Sequence, residues 1–274
     1  MTVGIIGLGL IGASYAAGLK AAGHTVFGYD RQKEVMDQAF SDKLIEGDCL
    51  ERMSECEIII LCLLPDANVE FVRTHAAMFS PGQIVSDVAG VKSSMMASIE
   101  SALPEGVAYL SHHPMAGNPE GGYANHDAHL FEGANAILVE GILSNEASFS
   151  VLRNLLKALG MRKTVRMNAS THDAFIAHTS QLTHLISSAL VLSAPADMTG
   201  EVSGNSYRDL TRIGDIEPDL WTPLFLDNKD ALLDTLKIFQ DTLDQYREAL
   251  ESGDDEGIHA LLETTRRSWR KRNG

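Results

Sequence analysis

The six residues Gly7-Leu8-Gly9-Leu10-Ile11-Gly12, set between an apolar run and a helical pattern, constrain this chain more than any other feature. A G-x-G-x-x-G alone is a common glycine turn. Here it follows the strand-like run Val3–Ile6 and opens a helical stretch carrying Ala13, Ala16, Ala17 and Leu19. A second strand signal, Thr25–Tyr29, comes next and leads into Asp30. In that context each glycine has a physical reason. Gly7 permits the tight turn, Gly9 lets backbone approach a pyrophosphate, and Gly12 lets helix and strand pack closely. The helix start at Leu10 and Ile11 offers free N–H groups and the positive end of a helix dipole to phosphates. Asp30 lies where a carboxylate accepts both ribose hydroxyls of NAD and repels the 2′-phosphate of NADP. Arg31 has two readings: it accepts such a phosphate, or it stacks on adenine.

The same alternation continues. Strand signals at Ile58–Leu63, Gln83–Asp87, Ala108–Ser111 and Ala136–Val139 are separated by helical patterns near 31–40, 67–77, 92–102 and 146–159, with a last short strand signal at Thr164–Arg166. This spacing predicts an α/β architecture, an N-terminal Rossmann-type doubly wound parallel sheet with helices on both faces. From Thr171 the β-branched signals fade. Helical patterns follow at Thr171–Ser193, Tyr207–Arg212, Trp221–Ser252 (broken near Asn228) and Asp255–Arg270. We therefore divide the chain into a dinucleotide-binding domain, 1–167, and an all-helical domain, 168–274.

Composition narrows the function. A formal charge of −15 disfavours nucleic acid, which needs clustered Lys and Arg. An anion site in such a chain must be built locally. Three cysteines without C-x-x-C spacing argue against a metal site or a disulfide framework and fit a reducing cytoplasm. No leader pattern and no membrane-length apolar run is seen, so a membrane partner is not expected.

Further segments carry candidate chemistry. Ser111-His112-His113-Pro114-Met115-Ala116-Gly117 follows a predicted strand, where ligands gather in open sheets. His113 is read either as a residue reaching the nicotinamide region or as a surface loop histidine. In Ser86-Asp87-Val88-Ala89-Gly90-Val91-Lys92, Gly90 leaves room for a ring, and Lys92 is either a substrate ligand or a solvated first-turn lysine. Along Thr171–Ser193, Asp173, Ser180, His184 and Ser187 recur at spacings of three, four and seven, a polar stripe on an otherwise apolar helix. It lines a ligand cavity or a seam with another subunit. Arg208 and Arg212, one turn apart, form a carboxylate clamp or two surface ion pairs.

Together these segments resemble the prephenate/arogenate dehydrogenase family of tyrosine biosynthesis, over essentially the whole chain. The resemblance is carried by Gly7–Gly12, Asp87–Lys92, His113–Gly117, His172-Asp173 with Ser180 and His184, and Asp209-Leu210-Thr211-Arg212-Ile213 followed by Trp221 and Asn228-Lys229. It implies a Rossmann domain, a helical domain that makes a homodimer, and NAD-dependent oxidative decarboxylation of prephenate to 4-hydroxyphenylpyruvate. It also implies roles: His113 the catalytic histidine at the ring hydroxyl, Arg212 the grip on a carboxylate, His184 a second active-site histidine, and Trp221 an aromatic near the site or dimer seam. The chain departs from the family pattern at Ala89-Gly90, where Gly-Ser is usual and the serine bonds the catalytic histidine. It departs again at Pro119 in place of an acid, and at Gln181 and Thr183 in place of His and Pro.

Three alternatives stand beside this reading. One is arogenate as the substrate. Another is a β-hydroxyacid dehydrogenase, disfavoured because Thr171–Ser193 contains no Lys. The third is a module that binds NAD(H) without turnover, given footing by the missing serine.

Overall fold

The apolar run Ile58-Ile59-Ile60-Leu61 is buried on both of its faces, and this explains the first domain. Ile58 and Ile60 pack with Val3, Ile5, Ala13, Ala16, Leu19, Leu152 and Leu156 on one side. Ile59 and Leu61 pack with Ile6, Val69, Val72, Val85 and Ile99 on the other. Side chains alternate along a strand, so an unbroken apolar strand needs cover on both faces.

The computed structural model describes every residue except Pro119, Thr199 and Gly274, and the side chain of Asn273. The Pro119 departure therefore lies outside the described residues. Strands β1 (Thr2–Ile6), β2 (Thr25–Tyr29), β3 (Ile58–Leu61), β4 (Ile84–Asp87) and β5 (Ala108–Tyr109) form a parallel sheet in the order β2-β1-β3-β4-β5. The chain reverses direction across the sheet between β1 and β3, which opens a crevice at their carboxyl ends. Helices α1 (Leu10–Ala21), α2 (Lys33–Ser41), α3 (Cys49–Arg52), α4 (Pro65–His75) and α5 (Met96–Ala102) connect and cover these strands.

The parallel Rossmann sheet ends at β5, and the strands expected beyond it form a second sheet. The predicted strand Ala108–Ser111 divides at Leu110. Ser111–Pro114 becomes β6, in a second sheet with β7 (Asn135–Glu140) and β8 (Lys163–Asn168), and β6 pairs antiparallel with β7. His112 and His113 thus lie within a strand, not on a loop after one. Helix α6 (Glu146–Ala158) returns to the first sheet, capped at Asn145 by a reciprocal bond with Ser148.

The rest is helical: α7 (Ala169–Ile176), α8 (Leu182–Leu192), α9 (Asn205–Thr211), α10 (Pro218–Asp227), α11 (Lys229–Ser252) and α12 (Asp255–Asn273). Between α7 and α8 the chain keeps turning as a π-helical segment, Ala177–Gln181. The break between α10 and α11 is held by bonds to residues distant in sequence. The Asn228 amide is buried and donates to the Asp173 carbonyl (2.9 Å) and to Gln181 Oε1 (2.7 Å). Gln181 in turn donates to the Leu224 carbonyl (2.7 Å), tying α10 to the π segment. Among the described residues no helix is long and apolar enough to cross a membrane.

Candidate active site

The glycine turn has the geometry its sequence implies. Gly7 adopts φ +90°, where a Cβ would meet the Cys62 carbonyl oxygen at 2.8 Å, and a Cβ on Gly12 would overlap the Gly7 carbonyl oxygen. A Cβ on Gly9 would meet no protein atom within 4 Å. The turn is therefore closed toward the protein at Gly7 and Gly12 and open outward at Gly9. Helix α1 begins at Leu10 without a side-chain cap, so the Leu10 and Ile11 N–H groups are left for a ligand. Asp30 Oδ2 accepts the Leu8 N–H and Oδ1 accepts the Gln32 N–H, both at 2.9 Å. Each oxygen keeps a lone pair for a ribose hydroxyl. Arg31 is exposed beside it. These residues fit a dinucleotide.

Beyond β4 the chain packs an inner wall of charge. Lys92, expected as a substrate ligand or a solvated lysine, is neither: it is fully buried. Its ammonium donates to Asp87 Oδ1 (2.8 Å) and to the His112 carbonyl (2.7 Å). Tyr109 donates to Asp87 Oδ2 at 2.6 Å. Burial raises the Asp87 carboxyl, but the Lys92 ammonium and these hydrogen bonds outweigh it, leaving Asp87 below its ordinary range. Lys92 thus holds the backbone of β6 in place and turns no group toward a substrate.

The neighbouring histidine is bound to the glycine-turn helix. Tyr15 Oη lies 2.6 Å from His112 Nε2, and Ser86 Oγ lies 2.8 Å from His112 Nδ1. Burial, reinforced by Lys92, pushes His112 down to about 3, so it is a neutral structural group. Side chains alternate along β6, so His113 faces the other way, onto a cavity. Its Nδ1 lies 2.9 Å from His172 Nε2, and its Nε2 has no partner among the described residues. Burial and the nearby Lys92 hold His113 well below the usual imidazole range. It is neutral near pH 7 and able to accept a proton or a hydrogen bond.

That cavity, of about 710 Å³, is lined by Gly90, His113, Ser180, Gln181, His184, Arg212, Trp221 and Leu224, with Asp215 and Glu217 among the others. His184 Nδ1 is fixed to the Ser180 carbonyl (2.9 Å), and its ring lies against Trp221 with centroids 3.9 Å apart. Arg212 is exposed and has no ion-pair partner among the described residues, so a cation stands free at the cavity wall. A Cβ at Gly90 would meet only Leu224 Cδ2, at 3.6 Å, so the missing serine leaves open space.

The structure brings His113, His184, Gly90, Arg212 and Trp221 together, and leaves others out. Arg208 is not among the lining residues. Helix α9 ends at Thr211, and the Arg208 guanidinium turns back to the Gly200 carbonyl (3.2 Å), so the two arginines do not converge and only Arg212 lines the cavity. Of the polar stripe, Ser180 and His184 line the cavity, while Asp173 and Ser187 are buried elsewhere. The π turn shifts the face of the helix between them. Sequence reasoning missed Asp215, Glu217 and Leu224 as lining residues, because they sit in an irregular segment and a short helix whose facing no periodicity reveals.

An open glycine turn at one end of a parallel sheet, with a neutral histidine and a free arginine in a cavity against a helical domain, defines a two-domain nucleotide-binding protein of the dehydrogenase kind. Comparison with known proteins makes this specific. Residues 15–165 match the model of the prephenate dehydrogenase nucleotide-binding domain, and residues 168–264 match that of its dimerization domain. A prephenate dehydrogenase of Lactococcus lactis is 30% identical over 94% of this chain and 74% of its own length. A cyclohexadienyl dehydrogenase of Zymomonas mobilis is 30% identical over 98% of this chain and 94% of its own. The crystal structure of Synechocystis arogenate dehydrogenase superposes with a TM-score of 0.87, at 27% identity, over 99% of this chain and 100% of that one. The chain belongs to the prephenate dehydrogenase family.

Proposed function

We propose that this chain is an NAD-dependent dehydrogenase that converts prephenate to 4-hydroxyphenylpyruvate by oxidative decarboxylation. The observation that carries this reading is the convergence of neutral His113 and unpaired Arg212 on one cavity, beside Gly90 at the carboxyl edge of the sheet. Gly7, Gly9, Gly12, Leu10 and Ile11 hold the pyrophosphate, and Asp30 holds the adenosine ribose and selects NAD over NADP. Bound NAD⁺ supplies the hydride acceptor.

The residues then have distinct roles. His113 Nε2 accepts the proton of the ring hydroxyl, which raises electron density on the carbon that loses the hydride. Arg212 binds a carboxylate of the substrate and fixes the ring toward His113. His184 and Trp221 wall the ring on the helical side. Aromatisation drives loss of the ring carboxylate as CO₂, and the phenolate left behind takes back the proton held on His113.

The homodimer belongs to the same reading. Helix α11 buries only Leu232, while Leu233, Ile238, Leu243 and Leu250 are exposed on it, as are Phe175 and Leu192 on the preceding helices. An apolar surface of this kind supports association with a second copy. The cysteines are free thiols, as suits the reducing cytoplasm.

The arogenate reading differs only in the side chain bound at Arg212. The test is NADH absorbance with purified protein, prephenate and arogenate in parallel, each with NAD⁺ and NADP⁺. Turnover of prephenate with NAD⁺ is expected to exceed the other three combinations. No absorbance change with either substrate, alongside measurable NAD⁺ binding, would instead support a binding module without turnover.

A further inference from the structure

The serine that usually partners the catalytic histidine in this family is absent at Gly90, yet His113 is not left to choose its own protonation. Its Nδ1 meets His172 Nε2 at 2.9 Å, and His172 Nδ1 meets Asp173 Oδ1 at 2.7 Å. The Asp173 carboxylate is itself anchored across the domain boundary: Oδ1 accepts the Lys92 N–H (3.0 Å) and Oδ2 accepts the Ser93 N–H (2.7 Å). Those two N–H groups belong to the segment leading from Gly90 into α5. The inner wall, the His113 strand and the first turn of the helical domain are therefore joined by one chain of hydrogen bonds.

Each link in that chain has a direction. An ionised carboxylate only accepts, so the hydrogen of His172 is on Nδ1. Asp173 is held ionised: burial raises its carboxyl, but the bonds from His172 and Ser93 outweigh this and leave it low. A neutral imidazole carries one hydrogen, and His172 is kept neutral by burial. His172 Nε2 is then a bare acceptor, and His113 Nδ1 must donate to it. The hydrogen of His113 is thereby fixed on Nδ1, and Nε2, on the cavity side, carries a free lone pair.

We infer that Asp173 and His172 are positioning residues that set the tautomer of His113, so that its Nε2 always faces the substrate as an acceptor. They touch no substrate and act only through His113. This rests on the reading of His113 as the proton acceptor, but it is tested separately from it. The helical spacing puts Asp173 in a stripe lining a cavity or a subunit seam. The structure turns it the other way, onto the loop after Gly90.

The experiment is ¹⁵N NMR of histidine-labelled protein at neutral pH, with and without NAD⁺, paired with steady-state kinetics. Wild-type protein is expected to show His113 with a protonated Nδ1 and an unprotonated Nε2. His172→Phe removes the acceptor for Nδ1–H, and the Nε2–H form should then appear. In that variant kcat should fall about tenfold or more while KM for NAD⁺ stays within about twofold. His172→Gln, whose amide can donate to Asp173 and accept from His113, should keep the Nδ1–H form and recover most of kcat. An Nε2–H tautomer in the wild-type protein would overturn the inference, and so would equal kcat values for the Phe and Gln variants. If neither prephenate nor arogenate is turned over, the activity reading fails while the NMR result still decides the tautomer.

Discussion

The inner and outer walls of the cavity are built on opposite plans. The inner wall, built from β4, β5, β6, the segment before α5 and the start of α7, is a buried polar network in which Asp87, Lys92, Tyr109, His112, His172 and Asp173 all have partners. The outer wall, between α9 and α10, carries Arg212, Asp215 and Glu217 in exposed positions. The same contrast separates the domains: the Rossmann strands are buried on both faces, whereas α11 buries only Leu232 and leaves Leu233, Ile238, Leu243 and Leu250 exposed. A group that must hold one protonation state is set in a dry, fully bonded frame. On the proposed reading, Arg212, which would capture a charged substrate, stays in water until that molecule arrives, because desolvating it beforehand would cost several kcal/mol.

The contrast can be broken most directly at its buried end. Lys92→Met leaves the Asp87 carboxylate buried without its cation, and stability should fall by about 3–5 kcal/mol in urea denaturation. A loss below about 1 kcal/mol would mean the inner wall does not depend on this pair. His113→Asn should leave NAD⁺ affinity nearly unchanged and lower kcat about a hundredfold or more in steady-state assays. Arg212→Ala should act in the other parameter, raising KM for prephenate about tenfold to a hundredfold with little change in kcat. If it lowered kcat instead, the division between a chemical inner wall and a binding outer wall would be wrong.

The smallest effect per group concerns pH. His112, His113 and His172 all have lowered folded-state values, chiefly from burial. Below about pH 6.5 the unfolded chain takes up protons that the folded one refuses. Stability should therefore fall with acidification, by at most about 1.4 kcal/mol per pH unit for each histidine, until that histidine's folded value is reached. For the same reason the acidic limb of kcat should lie below the ordinary histidine range. Denaturant midpoints and kcat measured across pH 5–8 check both.

These contrasts also mark what the sequence reveals. Gly7–Gly12 and Asp30 are legible because what they do is local, a turn, a helix start and a strand end within one short unit. The break at Asn228 is legible as a place, but its reason, the buried bonds to Asp173 and Gln181, spans some fifty residues of sequence. Lys92 is misread because its partners, Asp87 and the His112 carbonyl, meet only after β4 and β6 pack together. The division at Leu110 is hidden because Ala108–Ser111 reads as one apolar run, whichever sheet each end joins. The cavity face of Thr171–Ser193 is blurred by the π turn, which no spacing rule for a regular helix anticipates.

The most direct test of a chemical inner wall facing a binding outer wall is a crystal structure of the protein with NAD⁺ and 4-hydroxyphenylpyruvate. The phenolic oxygen is expected within hydrogen-bonding distance of His113 Nε2, the side-chain carboxylate on Arg212, and the pyrophosphate over Gly9. A product bound with its phenol away from His113, or with its carboxylate on some other cation, would contradict it.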